Sequence, residues 1–159
     1  MNKIIGIDPG YDRLGWAILK KEKNKPEIID SGCFTTDKKE DFNQRLKSVG
    51  LFFESLIKKH QPDLVVLESI IFNQSRNTAI GVIEVKGIIK FLACQNNIST
   101  EEYTPLEAKK IITGYGRAEK NQVIKTIQQI TDIKKPVKYD DEFDAIMIAL
   151  TGLALAKYN

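Results

Sequence analysis

Short β-branched segments alternate along this chain with longer segments of helical periodicity, and this alternation limits the fold more than any other feature. Residues 3–8 form the first apolar segment, and residues 14–20 and 27–35 follow it at short intervals. Three consecutive strands joined by short links predict an antiparallel meander. Residues 64–67 and 98–103 predict two further strands between helical segments. The pattern βββαβαβααα therefore predicts an α/β fold, a five-stranded mixed sheet with helices on both faces.

Helix signals follow the third strand. Asp37 and Glu40 resemble a capping pair, and Pro62 closes a segment whose apolar residues are spaced as in an amphipathic helix. Those apolar residues are Phe42, Leu46, Val49, Phe53 and Leu56. A second helix is expected over residues 78–94.

The later helices are marked by their ends. The run Thr104-Pro105-Leu106-Glu107 combines an N-cap, an N1 proline and an N3 glutamate, which predicts a helix start. Gly114 and Gly116 end that helix early, and residues 118–130 predict the next one.

Length and composition limit the class of protein. A chain of 159 residues matches one domain, so we expect a single domain over residues 1–159. Contents of 42% hydrophobic and 28% charged residues disfavour disordered, collagen-like and coiled-coil classes. Asp8 comes too early for a secretory signal, and no apolar run approaches the roughly 20 residues of a membrane span. Cys33 and Cys94 lack disulfide or zinc spacing, which predicts reduced thiols in a cytoplasmic protein.

Acidic residues stand at the ends of two predicted strands. Asp8 ends the first strand just before Pro9-Gly10, and Glu68 ends the strand at 64–67. Strand ends beside tight turns are where α/β proteins present catalytic groups, and these two acids lie side by side if their strands are neighbours. Taken singly, each is as easily a turn residue.

Two further acids begin the last predicted helix. Asp140 is expected to cap a helix over residues 141–157, and Asp141 and Asp144 share one face of its first turn. Four converging carboxylates repel one another unless they bind protons or cations. Their hard oxygen ligands suit Mg²⁺ or Mn²⁺, and two such ions form the clamp used for phosphodiester hydrolysis.

A basic cluster brackets the glycine break, although the whole chain is only mildly basic at a net charge of +3. Its side chains could hold phosphates near the acids. Its members are Lys109, Lys110, Arg117 and Lys120. Lysines elsewhere, such as Lys38 and Lys39, are interpreted as solvated surface, and His60 likewise.

Five runs resemble RuvC-type Holliday junction resolvases. Ile5-Gly6-Ile7-Asp8-Pro9-Gly10 and Leu14-Gly15-Trp16-Ala17 are similar to the opening of that family. Val66-Leu67-Glu68, Thr113-Gly114-Tyr115-Gly116-Arg117-Ala118-Glu119-Lys120 and Asp141-Glu142-Phe143-Asp144-Ala145 match it further along, in order and with compatible spacing.

The resemblance implies a ribonuclease H-like fold and a homodimer that nicks four-way DNA junctions in pairs, with Mg²⁺ bound and a RuvA–RuvB branch-migration complex as partner. It also implies which residues form the site. The metal-binding catalytic acids fall on Asp8, Glu68, Asp141 and Asp144, and the catalytic lysines on Lys109 and Lys120. The junction-opening aromatic of relatives falls near Ile71-Phe72, which makes Phe72 a candidate DNA contact. The helix over residues 78–94, apolar on more than one side, corresponds to a dimer seam, with core packing as the alternative.

Three other functions stay open at this point. A catalytically silent junction-binding module would use the same architecture, and a ribonuclease H-like nuclease could act on another branched or hybrid nucleic acid. An actin-like or sugar-kinase phosphotransferase also begins its phosphate loop with Gly-Ile-Asp-x-Gly, but this chain lacks the length for a second lobe.

Overall fold

The structure, a computed structural model, describes residues 3–22, 25–69, 76–131, 133 and 136–155, and for residues 76–78 the backbone only. The strands are β1 (Lys3–Asp8), β2 (Arg13–Lys20), β3 (Glu27–Thr35), β4 (Leu64–Glu68) and β5 (Ser99–Tyr103). The helices are α1 (Phe42–His60), α2 (Arg76–Gln95), α3 (Pro105–Thr113), α4 (Lys120–Ile130) and α5 (Asp140–Leu155). No helix in these ranges is both long enough and apolar enough to cross a membrane.

The five strands form one mixed sheet in the order β3-β2-β1-β4-β5. β1, β2 and β3 pair antiparallel as the predicted meander, and β4 joins β1 in parallel. Ile7 pairs with Leu67 across β1 and β4. Asp8 and Glu68 are the next residues of these two strands, so the predicted neighbourhood of the two acids is confirmed.

Helices cover both faces of the sheet, as the sequence predicts. Alternate residues of the central strands enter two separate cores: Ile4 and Val66 pack with α5, whereas Ile5 and Val65 pack with α1 and α2. All four side chains are buried. Burying each such side chain stabilises the fold by about 1.5–3 kcal/mol, so the sheet is held from both sides.

Of two predicted helix starts, the structure corrects one and confirms the other. The N-cap of α1 is Asp41, whose Oδ1 accepts a hydrogen bond from the Gln44 amide at 3.0 Å, so the prediction of Asp37 is wrong. Asp37 caps a turn instead, because its Oδ1 accepts from the Lys39 amide at 2.9 Å. The predicted box at Thr104 is confirmed, since Thr104 and Glu107 cap each other reciprocally.

His60 is not a surface residue, contrary to the sequence interpretation. Its exposed fraction is 7%, it packs near the Trp16 ring, and its Nε2 lies 3.6 Å from Asp30 Oδ2. Burial lowers the pKa of His60, and the charge of Lys59 lowers it further. The residue ends α1 at the point where Lys3 Nζ donates to its carbonyl oxygen at 2.6 Å, so the helix end and β1 enclose it.

Helix α5 lies very close to the first two strands, and glycines permit this approach. A β-carbon at Gly15 would lie 1.9 Å from the carbonyl oxygen of Asp141, and one at Gly6 would lie 2.3 Å from that of Ala145. Both obstacles are backbone atoms, which cannot rotate away. The glycines of β1 and β2 thus bring the first turns of α5 against the strand ends.

Replacing Gly15 with alanine tests this packing. We expect Gly15→Ala to lower the free energy of unfolding by about 1–3 kcal/mol, because the added methyl group overlaps the α5 backbone. Thermal or urea denaturation of the metal-free protein measures the change.

Gln128→Ala is the control. Gln128 lies exposed on α4, away from the contact between α5 and the strands, so alanine there is expected to change the free energy of unfolding by no more than about 0.5 kcal/mol. Equal stabilities of the Gly15→Ala variant and the original protein would contradict the close approach.

Candidate active site

Asp8 and Glu68 form the centre of the site. The two acids end adjacent parallel strands, and each shifts the pKa of the other. Burial raises the pKa of Asp8 well above its ordinary value, and the charge of Glu68 raises it further. Burial also raises the pKa of Glu68, despite the opposing effect of the hydrogen bond from Asp8. Both carboxyl groups therefore bind a proton more tightly than free carboxyl groups do.

The first turns of α5 add two more carboxylates. Burial raises the pKa of Asp144, while the charge of Lys120 lowers it. Asp141 and Asp144 both raise the pKa of Asp8 through their charges, so the other three predicted acids all lie within electrostatic range of Asp8. The structure thus brings together the acids that the sequence singled out.

The acids line two adjoining clefts. The β2-side cleft, of about 740 Å³, contains Asp8, Glu68 and Asp141 together with Arg13 and Lys38. The α4-side cleft, of about 230 Å³, contains Glu68 and Asp144 together with Lys109 and Lys120, and apolar residues of α4 and α5 form its remaining wall. Glu68 lies on the ridge between the two clefts because it lines both.

The two predicted catalytic lysines reach the acids from separate helices. The charge of Lys109, on α3, lowers the pKa values of Glu68 and Asp144. Lys120 begins α4, and its Nζ lies 2.7 Å from Asp140 Oδ2 at the cleft rim. Both lysines therefore favour the ionised form of the acids, whereas burial and the neighbouring acids favour the protonated form.

The other predicted DNA contacts do not join this cluster. Lys110 and Arg117 are exposed and line neither cleft. Phe72, with the neighbouring Ile71, lies outside the described residues. Lys38, interpreted from the sequence as plain solvated surface, lines the β2-side cleft.

The turn that follows Asp8 is braced by a residue that the sequence analysis missed. Arg45 of α1 forms an ion pair with Asp12, and its Nε donates to Thr36 Oγ1 at 2.9 Å. Thr36 Oγ1 in turn donates to the Tyr11 carbonyl oxygen at 2.7 Å. No local signal marks this arginine, because its role depends on how α1 crosses the sheet.

A second missed cation lies on α2. Lys86 has an exposed fraction of 7%, and its Nζ lies 2.5 Å from Glu102 Oε2 on β5. Lys90, one turn along, forms an ion pair with the same carboxylate. The charge of Lys86 also lowers the pKa of Glu68, so this buried ion pair belongs to the electrostatic surroundings of the site. A lysine within an apolar helix would have been the signal for it.

The carboxylate oxygens of the site are suitable ligands for divalent cations, although the side chains do not converge on a single point. Among the described residues, no three acidic, histidine or cysteine side chains converge closely enough to hold one ion. Asp8 is engaged with Glu68, and Asp141 Oδ2 lies 3.1 Å from Arg13 Nε. That oxygen is buried and accepts no hydrogen bond within the described chain. An unsatisfied buried carboxylate oxygen beside three other carboxyl groups is a ligand set that Mg²⁺ or Mn²⁺ satisfies.

Comparison with known proteins identifies the family. The family model for the crossover junction endodeoxyribonuclease RuvC matches residues 4–152. A curated relative of that name from Alkaliphilus metalliredigens is 40% identical over 147 residues, covering 92% of this chain and 90% of the relative. One from Thermosipho melanesiensis is also 40% identical, covering 92% and 94%. The chain belongs to the RuvC family. The family resemblance seen in the sequence is thereby confirmed.

Solved RuvC-type structures confirm the fold. T. thermophilus RuvC in complex with Holliday junction substrate matches with a TM-score of 0.91 at 24% identity, covering 98% of this chain and 95% of that chain. The yeast mitochondrial Holliday junction resolvase Ydc2 matches with a TM-score of 0.75 at 14% identity, covering 95% and 77%. The five-stranded mixed sheet with helices on both faces is therefore the RuvC architecture.

The raised pKa values predict how the stability of the metal-free protein depends on pH. A carboxyl group whose folded pKa is raised binds more protons in the folded state, so its contribution to stability is lost as pH rises above the ordinary value near 4. We expect Asp8→Asn to flatten this decline and to raise the melting temperature by a few degrees at neutral pH. Thermal unfolding in EDTA between pH 4 and pH 8 measures both effects.

Glu40→Gln is the control for this experiment, because Glu40 is an exposed acid on the turn before α1. It should follow the pH profile of the original protein. An Asp8→Asn variant that melts below the original protein at neutral pH would show that the carboxylate of Asp8 does not destabilise the metal-free fold.

Proposed function

We propose that this chain is a structure-selective endodeoxyribonuclease that resolves Holliday junctions by paired, metal-dependent nicking in DNA recombination and repair. The observation that carries the proposal is the arrangement of four carboxyl groups with two lysines: Asp8 and Glu68 end adjacent parallel strands, the α5 acids lie across from them, and lysines approach from α3 and α4. Family membership supports the same reaction, because curated relatives carry the name crossover junction endodeoxyribonuclease.

The acids would hold the metal. We assign this role to Asp8, Glu68, Asp141 and Asp144, with two Mg²⁺ ions per subunit, for which Mn²⁺ can substitute. Such ions supply an activated water and stabilise the leaving 3′-oxygen in phosphodiester hydrolysis. Asp8 is the central ligand in this scheme because it interacts with each of the other three acids.

The lysines would act on the phosphate. Lys109 and Lys120 line the cleft that contains Glu68 and Asp144, so a scissile phosphate over these acids lies within reach of both cations. Each would offset the negative charge that builds on the phosphate in the transition state. Lys110 and Arg117 are exposed further out and would contact the DNA backbone, and Phe72 remains our candidate for opening the junction.

Cleavage by the Asp8→Asn variant tests the proposed reaction. We expect this variant to bind a four-way junction and to lose cleavage down to the level seen with EDTA, because the carboxylate that links the other ligands is gone. Lys120→Ala should retain cleavage but slow it by about 10²–10³-fold, as for loss of one transition-state donor. Single-turnover cleavage of a labelled junction with Mg²⁺ measures both.

The substrates in this assay separate the alternatives. Linear duplex and RNA–DNA hybrid serve as competitors, and Lys58→Ala, a change at an exposed α1 lysine paired with Glu54, serves as the control variant. Preferential cleavage of the hybrid would favour a different nuclease activity. Junction binding without any cleavage by the original protein would favour a silent binding module, and ATP binding would favour a phosphotransferase.

A groove between α1 and α2 supports a homodimer. Its volume is about 640 Å³, and Leu51 and Phe91, which line it, have exposed fractions of 57% and 65%. Lys47 and Glu84 line the same groove with opposite charges, which suits a two-fold contact in which each residue meets the other on the second copy. A two-fold dimer also matches a substrate that has two symmetry-related strands to cut.

Phe91→Glu tests this dimer. We expect it to weaken self-association by at least about thirtyfold, because a central aromatic residue of an interface typically contributes 2 kcal/mol or more. Sedimentation velocity across a range of protein concentrations measures the change.

The control is Ile111→Glu, at a similarly apolar but distant position on α3 whose exposed fraction is 40%. It should leave the dimer intact. A Phe91→Glu variant that sediments as the original protein does would exclude this groove as the dimer contact.

The remaining elements of the proposal concern the protein as a whole. Because both helix layers and the central strands contribute to one site, we propose a single nuclease domain over residues 1–159. Its DNA substrate favours a cytoplasmic location, and the family resemblance favours a RuvA–RuvB complex as the partner that supplies junctions.

A further inference from the structure

Arg13 is a cation of the site that no sequence motif marked. It begins β2, where it pairs with Thr35 of β3, and its Nε lies 3.1 Å from Asp141 Oδ2. The guanidinium group also lies over the Tyr139 ring at 5.9 Å from the ring centre. Half of the Arg13 side chain is exposed, and it lines the β2-side cleft together with Asp8 and Asp141. The backbone of Arg13 is thus held in the sheet, whereas its guanidinium group is partly exposed to solvent.

The contact between Arg13 and Asp141 is an ion pair without a hydrogen bond. The buried Oδ2 of Asp141 has Arg13 as a charge partner, but the geometry does not form a hydrogen bond, and no other described residue supplies one. A buried carboxylate oxygen in this condition is poorly stabilised and is available to a better partner. The exposed guanidinium likewise loses little when it leaves, since partly exposed ion pairs are worth at most about 1 kcal/mol.

The backbones near the two residues are packed closely together. Residue 141 lies against Gly15, two positions along β2 from Arg13, with its carbonyl oxygen 1.9 Å from where a β-carbon of Gly15 would stand. Side-chain rotation therefore changes the distance between the guanidinium and the carboxylate without disturbing this packing. Arg13 has the length and the open cleft in which to rotate.

We propose that Arg13 is a positioning residue that occupies Asp141 in the metal-free protein and turns to a DNA backbone phosphate when a divalent cation takes Asp141. This inference rests on the proposed function, because it requires Asp141 to be a metal ligand. Arg13 stands on the β2 side of the acids, whereas Lys109 and Lys120 stand on the α4 side. With the metal bound, a strand crossing the acids would then meet the released charge of Arg13 on the β2 side and the two lysines on the α4 side.

Metal binding without DNA gives the first test. Titration calorimetry with Mn²⁺ alone should show about two- to fivefold tighter binding by Arg13→Gln than by the original protein, because the competing ion pair is removed. Arg13→Lys, which keeps the charge, should bind Mn²⁺ as the original protein does or only slightly more tightly. Unchanged or weaker binding by Arg13→Gln overturns the proposal.

The salt dependence of junction binding gives the second test. In Ca²⁺, used as a non-cleaving hard cation, Arg13→Gln should reduce the slope of log K against log salt by about 0.9, the effect of one phosphate contact. In EDTA the two slopes should agree, because Arg13 is then held by Asp141. Lys38→Gln, a change at an exposed lysine of the same cleft, should reduce the slope equally in both conditions if Lys38 contacts DNA, and in neither if it does not.

The outcomes distinguish this inference from the function on which it rests. A slope change of equal size in Ca²⁺ and in EDTA would make Arg13 a simple phosphate contact, which overturns the switch. Absence of Mn²⁺ binding by the original protein would remove the metal site and the inference together. Tight Mn²⁺ binding and normal cleavage, with no difference between Arg13→Gln and the original protein, would leave the function standing and refute the role of Arg13.

Discussion

The close contact between α5 and the first two strands is the constraint on which the site depends. Without side chains at Gly6 and Gly15, the α5 backbone rests directly on β1 and β2, and the acids of its first turns reach the strand ends. The arrangement gathers negative charge in a partly buried place, which favours protonation until a cation arrives. Close packing therefore holds the acids together although their negative charges repel one another, as is common where a fold holds a functional site.

Nearby cations reduce the repulsion between these acids, and the cations differ in how they are held. Lys86 is buried in an ion pair with Glu102, whereas Lys109 lies half-buried on α3. Lys120 and Arg13 are more exposed: Lys120 pairs with Asp140 at the cleft rim, and Arg13 with the buried Oδ2 of Asp141. Breaking an exposed ion pair costs little, whereas removing one partner of a buried pair costs far more.

Much of the fold followed from the sequence, because its signals are local. β-branched runs marked the strands, the Thr104 box marked the start of α3, and acids at strand ends marked Asp8 and Glu68. Asp37 and Asp41 are equally good caps by local rules, and only the turn over residues 37–40 decides between them. Arg13 and Arg45 carry no such signal, since their roles arise from contacts between segments distant in the chain. Lys86 is marked only by being a lysine within an apolar helix, and its partner on β5 follows from the fold.

The capped start of α3 places the two lysines of the α4-side cleft on different supports. The Ser69 amide donates to the Tyr103 carbonyl oxygen at 2.8 Å, so the chain just after Glu68 is tied to the end of β5, and the Thr104–Glu107 box follows at once. Lys109 thus stands on the same support as Glu68. Lys120 follows Gly114, whose φ of 79° reverses the chain, and begins α4, which is anchored by the buried side chains of Val123 and Ile127. A shift of α4 relative to α3 would therefore change the spacing between the two cations while Lys109 and Glu68 keep their register.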